Sequence, residues 1–289
     1  MPRLLVSNGD NEFVGKLMDS LATKHGVDVT ALVPGDGAAA AGVPVAEQPG
    51  DHTHVLVTMP TDDGALRRAM ELVDALEGRH VLFIANELDP EHHEVMDHIK
   101  ASGNPWTIVH PVSMMDFSFA ALPPQISMAG VVFGISGTSR IGFVAASDIM
   151  RVLSVIIAET GHAGHEYVCS GPEAVDMPTV VAQLSAVIGR RIDYIDLPED
   201  ELKSLMVQYG RQDPDVIERL VMSHLRAWRD GRADVVTTTV ADLTGQQPLS
   251  VAEWFEAHSD DFGKGPSLAQ RAASALVKAR YRDRILGAG

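Results

Sequence analysis

Ser7-Asn8-Gly9-Asp10-Asn11-Glu12-Phe13-Val14-Gly15, "SNGDNEFVG", decides the fold through what stands on either side of it. Before it runs the short apolar strand "RLLVS" (residues 3–7), and after it a helical pattern places Val14, Leu17, Leu21 and Ala22 on one face. A glycine-bounded turn between a strand and an amphipathic helix is the opening βα unit of a dinucleotide-binding sheet. Its glycines let the backbone approach a pyrophosphate, whose charge the helix N-terminus meets. Here the spacing survives as Gly9, Glu12 and Gly15, with a carboxylate at the middle position. The cofactor-binding candidates are therefore Gly9, Asn11, Glu12, Phe13 and Gly15. Asp36, in the "PGDG" that follows the second strand, is placed for ribose hydroxyls, and no arginine stands there for a 2′-phosphate. At roughly 4 Å and an effective dielectric of 20, Glu12 repels a phosphate by about 4 kcal/mol, nearly three decades of affinity. Turned outward, the same side chain is a first-turn acid that complements the helix dipole and touches no ligand. The first geometry predicts that NAD(P) binds weakly or not at all.

The alternation continues with strands at 27–34, 42–47, 54–60, 80–86 and 106–111, and with helices at 63–78 and 90–102. Strands that read as near-continuous apolar runs and alternate with helices predict an α/β fold, a Rossmann-like, doubly wound parallel sheet. After Asp148 the helices lengthen and the strands become isolated, as in "EYVCSGPE" (166–173) and "RIDYIDLP" (191–198). The expected organisation is a Rossmann-like domain over 1–150, a smaller C-terminal α+β lobe over 151–262, and a basic helix over 263–289 carrying Arg271, Lys278, Arg280, Arg282 and Arg284. That helix is either a solvated surface or an arm that docks a second subunit, so a homodimer is allowed.

Composition narrows the partners. The 289 residues, 45% of them hydrophobic, suffice for an ordinary globular core, and the net charge of −16 repels nucleic acid and anionic membranes. A small organic substrate is the expected partner. A single cysteine, Cys169, and no charged-then-apolar leader point to the cytoplasm, and no apolar run is long enough to span a bilayer.

From about residue 141 the likeness becomes specific. "IGFVAASDIMRVLSVIIAETGHAGHEYVCSGPEAVDMPTVVAQLSAVIGRRIDYIDLP" resembles the second half of the NmrA-like atypical short-chain dehydrogenases/reductases; "ASGNPWTIVHP" (101–111) and "LTGQQPLSVAEWFEAH" (243–258) are similar to other segments of that family. The resemblance covers the chain to about residue 260. It implies a Rossmann-type lobe that binds NAD(P) and a small lobe that closes over substrate, in proteins ranging from quinone, imine and dye reductases to regulators that bind the dinucleotide without turning it over. The sequence departs from the pattern at Glu12, at the absent arginine after the second strand, at His110 in place of an arginine before Pro111, and at Asp116-Phe117 in place of an asparagine. The tyrosines, Tyr167, Tyr194, Tyr209 and Tyr281, all fall late in the chain, and none has a lysine four residues on.

Ligands in open α/β sheets bind outside the carboxyl ends of the strands. Those positions nominate Met59, Pro60, Asn86, Met114 and Met115 as substrate-pocket residues and His110, Ser113 and Asp116 as acid–base groups. The family resemblance implies that His92 or His93 also faces substrate. His110 is alternatively a backbone-bonded histidine. His93 and Asp97, or Glu94 and His98, stand at i,i+4 as metal ligands do, but no third ligand is evident and no metal is expected. Cys169 in its apolar strand reads as an inert thiol. With the phosphate-loop glycine and the Tyr/Lys pair both missing, the primary expectation is a small-molecule enzyme doing non-redox acid–base chemistry: isomerisation, elimination or ring opening. An NAD(P)H-dependent oxidoreductase and a non-catalytic metabolite sensor are the alternatives.

Overall fold

The computed structural model describes residues 3–7, 12–32, 43–59, 64–120, 122–210, 214–263 and 268–286. Its contacts divide the chain into two compact units, and each takes several separate segments. The first comprises 1–111, 146–169 and 238–247; the second comprises 112–145, 170–237 and 248–289. The division therefore differs from a single boundary near 150, and the terminal helix belongs to the second unit.

In the first unit the described elements are β1 (Arg3–Val6), α1 (Glu12–Thr23), β2 (Asp28–Leu32), β3 (Val45–Ala46), β4 (His54–Val57), α2 (Ala65–Asp74), β5 (His80–Ile84), α3 (Pro90–Ala101), β6 (Trp106–Pro111), α4 (Ala146–Ala158), β7 (His165–Cys169) and α5 (Thr239–Thr244). The seven strands form one parallel sheet in the order β7-β6-β5-β4-β1-β2-β3. Both faces are buried, which is why the strands read as unbroken apolar runs. Leu5, Val55, Val57, Val81, Phe83 and Ile108 meet Val73 of α2 and Val95, Met96 and Ile99 of α3 on one face. Leu4, Val6, Leu56, Leu82 and Val109 alternate with them and are also wholly buried. Asp89 caps α3, its carboxylate accepting from the Glu91 N–H at 3.1 Å, and Pro90 supplies the preset first turn.

β7 joins this sheet at its edge, pairing His165↔Thr107 through Cys169↔Pro111. The sequence reading had placed it with the later lobe. An edge strand in which only Cys169 is fully buried lacks the apolar run that marks the other strands, so its membership comes from pairing distant in sequence.

The second unit is held by an aromatic core in which Phe119 lies 4.9 Å from both Phe143 and Phe255 and 5.4 Å from Trp254. Strand Asp193–Asp196 pairs in parallel with Val131–Gly134 and antiparallel with Ile285–Leu286, so the last described residues are tied into a sheet. The basic helix Leu268–Arg280 is fastened by Lys278 to Asp193 (2.7 Å), and just beyond it Arg284 pairs with Glu201 (3.0 Å).

Candidate functional site

The carboxyl edge of the first sheet carries two hydrogen-bonded constellations. At the end of β1, the Thr58 N–H donates to Ser7 Oγ at 2.8 Å and the two hydroxyls lie 3.1 Å apart, while the Ser7 N–H continues the ladder to the Leu56 carbonyl. This bridge fixes the strand ends where the turn toward α1 begins. Sequence reasoning passed over both residues, since a serine and a threonine become a pair only through the β1/β4 register.

The second constellation holds the loop between β5 and α3. The Asn86 N–H donates to His92 Nδ1 at 2.9 Å, and Asn86 Oδ1 accepts from the Leu88 N–H at 3.1 Å, an Asx turn. Accepting at Nδ1 leaves the proton of a neutral His92 on Nε2; burial pushes its pKa down and favours that neutral form. Its ring packs on Phe83 at 5.1 Å. His92 thus fastens a loop rather than presenting a free acid or base.

His110, near the end of β6, lies between two carboxylates: Nδ1 meets Glu87, and Nε2 meets Glu166 Oε2 at 2.9 Å. The register that sets His110 opposite Val168 carries Glu166 of β7 to it, and Lys100 of α3 closes the chain of charges on Glu166 Oε1 at 2.8 Å. Hydrogen bonding to Lys100 is the largest effect that holds the Glu166 carboxyl below its usual range, with His110 adding to it against the cost of burial. Exposed His93 reaches the Glu87 carbonyl at 3.0 Å. Loop, helix, β6 and β7 are thereby joined by one run of polar contacts. Glu87 and Glu166 are the carboxylates that stand against the His110 ring, and Asp116, nominated with it as an acid–base group, falls in the second unit. His110→Ala leaves two facing carboxylates without their shared partner. Both are about half exposed, so the cost falls below that of a buried pair, about 2 kcal/mol. Thermal denaturation should show a fall of roughly 4–8 °C; an unchanged midpoint would remove the network from the account of stability.

Of the other candidates, Gly9, Asn11, Asp36 and Pro60 lie outside the described residues. Glu12 is the first residue of α1 and Phe13 the second; their side chains are likewise outside the description. Gly15 sits in the first turn of α1, where an added methyl would meet no packed neighbour within 4 Å among the described residues. Met59 packs at the margin of the sheet core. Ser113 Oγ is 3.1 Å from Ser118 Oγ in the second unit, and Met114 beside it is half-buried. Met115, expected to wall a substrate pocket, is instead wholly buried in the aromatic core and offers no surface to a ligand. His98 pairs with Asp74 at 2.8 Å. Burial, with nearby Asp148, pushes the Cys169 thiol up to about 12, the behaviour of an inert thiol.

No family model matches the chain. Among solved structures, an NADPH-dependent quinone oxidoreductase from Escherichia coli in complex with NADPH superposes with a TM-score of 0.73 at 17% identity, over 89% of this chain and 100% of that one. A mutant NmrA superposes with a TM-score of 0.66 at 14% identity, over 88% and 94%. The fold is that of the NmrA-like atypical short-chain dehydrogenases/reductases.

The comparison with curated proteins carries more than fold. The chain is 34% identical over 165 residues to a (4-alkanoyl-5-oxo-2,5-dihydrofuran-3-yl)methyl phosphate reductase of Streptomyces griseus, covering 57% of each chain. It is 27% identical over 170 residues to an NAD(P)H azoreductase of Xenophilus azovorans, covering 59% of this chain and 58% of that one. The matched segments thus span little more than half the length of these relatives. Both are named reductases. That finding overturns the primary expectation of non-redox isomerase or lyase chemistry, which had leaned on the missing glycine and the missing Tyr/Lys pair. Among the described residues, no helix is long and apolar enough to cross a membrane.

Proposed function

We propose that the chain is an NAD(P)H-dependent reductase of small, electron-poor unsaturated molecules such as quinones. The observation that carries this reading is the 34% identity to a reductase over 165 residues. The parallel sheet with a helix opening at Glu12 directly beyond β1, and with open space beside Gly15, fits a dinucleotide. Gly9, Gly15 and the first turn of α1 would hold its diphosphate, and Asp36 a ribose. The nicotinamide supplies a hydride when bound. Asn86 and Glu87, fastened by His92 and His110, keep the edge beyond β5 rigid, so the acceptor is oriented rather than chemically activated.

The accompanying proton comes from water. The Tyr167 hydroxyl is engaged with His162 Nδ1 at 2.9 Å, and the buried Tyr194 hydroxyl donates to Asp196 at 3.2 Å. With a quinone as acceptor, one hydride from NAD(P)H and one proton would give the hydroquinone and NAD(P)+. Titrating NADH and NADPH by fluorescence, then following loss of reduced-nicotinamide absorbance with a benzoquinone, tests the proposal. Saturable binding and turnover are expected; absence of binding both in the natural protein and in Glu12→Gly would defeat it.

A further inference from the structure

The second unit holds a cavity of about 310 Å³ lined by Arg190, Arg191 and Arg271, together with Gln270, Ser274 and Gly130. Three arginines lining one hollow are unexpected in a chain of net charge −16, where the general field repels anions. Their engagements leave most donors unspent. Gly189, with φ of 66°, ends the helix Met177–Val187, and the chain turns so that Arg190 Nη2 donates to the Phe262 carbonyl at 2.9 Å. That bond anchors the side chain, while its buried Nε meets no acceptor among the described residues. Arg191 spends Nε on Asp193 at 2.7 Å, and Asp193 is also held by Lys278. Arg271, in the first turn of the helix Leu268–Arg280, has no carboxylate partner among the described residues. Ser274 stands one turn further on, brought close by Gly130, whose left-handed φ of 61° leaves only 3.0 Å between a built Cβ and the serine hydroxyl.

We propose that this cavity is a binding site for a small phosphate-bearing molecule. Guanidinium forks match the oxygens of a tetrahedral dianion two at a time, which a lysine cluster does not do. The volume suits a small metabolite rather than a protein surface. The hydroxyl of Ser274, which also lines the hollow, adds a neutral donor to the charged ones. The basic residues that the sequence presents as one helix thus have different fates: Lys278 and Arg284 tie the fold together, and Arg271 lines the hollow.

Calorimetric and thermal-shift titrations with inorganic phosphate, glycerol phosphate and malonate test this, each against sodium chloride at matched ionic strength. Phosphate or its ester should bind saturably and raise the melting temperature, with malonate at least tenfold weaker. Tighter binding of the ester assigns the hollow to organic phosphates, and equal affinity assigns it to the free ion. Arg271→Gln, at an exposed helix position, should weaken binding at least tenfold with an unchanged circular-dichroism spectrum; Arg190→Gln combined with it should abolish binding. Stabilisation that sodium chloride reproduces, malonate binding as tight as phosphate, or an Arg271→Gln protein that binds phosphate like the natural one, overturns the proposal.

Discussion

Replacing Glu12 with glycine should tighten NADPH binding by between about one and three powers of ten, provided its carboxylate faces the diphosphate. The upper figure is the unscreened repulsion of about 4 kcal/mol, and solvent at the mouth of the turn lowers it to roughly half. Glu12 is the first residue of α1, and the N-terminal end of a helix is where backbone N–H groups serve an anion. Glu12→Gln separates charge from bulk: it should recover most of the gain if electrostatics dominates, and little if the side chain merely fills the space. The glycine variant should also be slightly less stable, by about 1 kcal/mol, through lost helix propensity and a lost favourable dipole contact. Fluorescence titration at low and high salt reads all of this. A dissociation constant equal to the natural protein's in both variants would mean that the carboxylate turns away from the cofactor.

Acid should destabilise the fold well before its carboxylates titrate. At the amino ends of β4 and β5, the rings of His54 and His80 lie 5.1 Å apart, and His80 Nε2 is 2.8 Å from Thr107 Oγ1. The Thr107 hydroxyl already donates to the His162 carbonyl at 2.6 Å, so it accepts from His80, whose neutral Nε2–H tautomer is thereby satisfied. Burial is the main cause that lowers the His80 pKa from 6.5 to about 4, with repulsion from His54 and His162 adding to it. Because the folded value lies below the unfolded one, the native state resists the proton that the unfolded chain takes up. The stabilisation is complete above pH 6.5 and is lost as pH falls toward 4; with solvent screening of the partly exposed ring it amounts to about 1–2 kcal/mol from this one residue. His54, His52 and His92 are shifted the same way by burial and add to the loss. Glu166 and Asp193 are held below their usual carboxylate values, so their contributions fade only at lower pH. Urea midpoints measured between pH 8 and pH 4.5 should fall steadily, and His80→Gln should flatten the slope. An equal slope in that variant would show that the histidine cluster is not responsible.

The first sheet was legible because each of its inner strands is apolar on both faces, a local property that needs no knowledge of partners. β7 was misplaced because an edge strand is half exposed and is identified by pairing with residues more than fifty positions earlier. The same distance hid the surroundings of His110. The sequence marks a histidine at a strand end, yet Glu166 arrives by sheet register and Glu87 by the turn of a loop. Met115 misled for a related reason: a methionine after a strand reads alike whether it lines a cleft or fills a core, and only the gathering of Phe119, Phe143 and Phe255 decides. The redox reading was obscured because the absence of one glycine and one Tyr/Lys pair says less about chemistry than about one way of performing it.

The sheet's interleaved segments also bear on how the nascent protein matures. On the ribosome, β6 is finished at residue 111 but its neighbour β7 only at residue 169, and the last segment of that unit ends at 247. At ordinary elongation speeds the bare flank of β6 waits roughly 3 to 12 seconds for its companion. During that interval it is an open seam, which makes this stage of synthesis the natural moment for a chaperone to shield the chain.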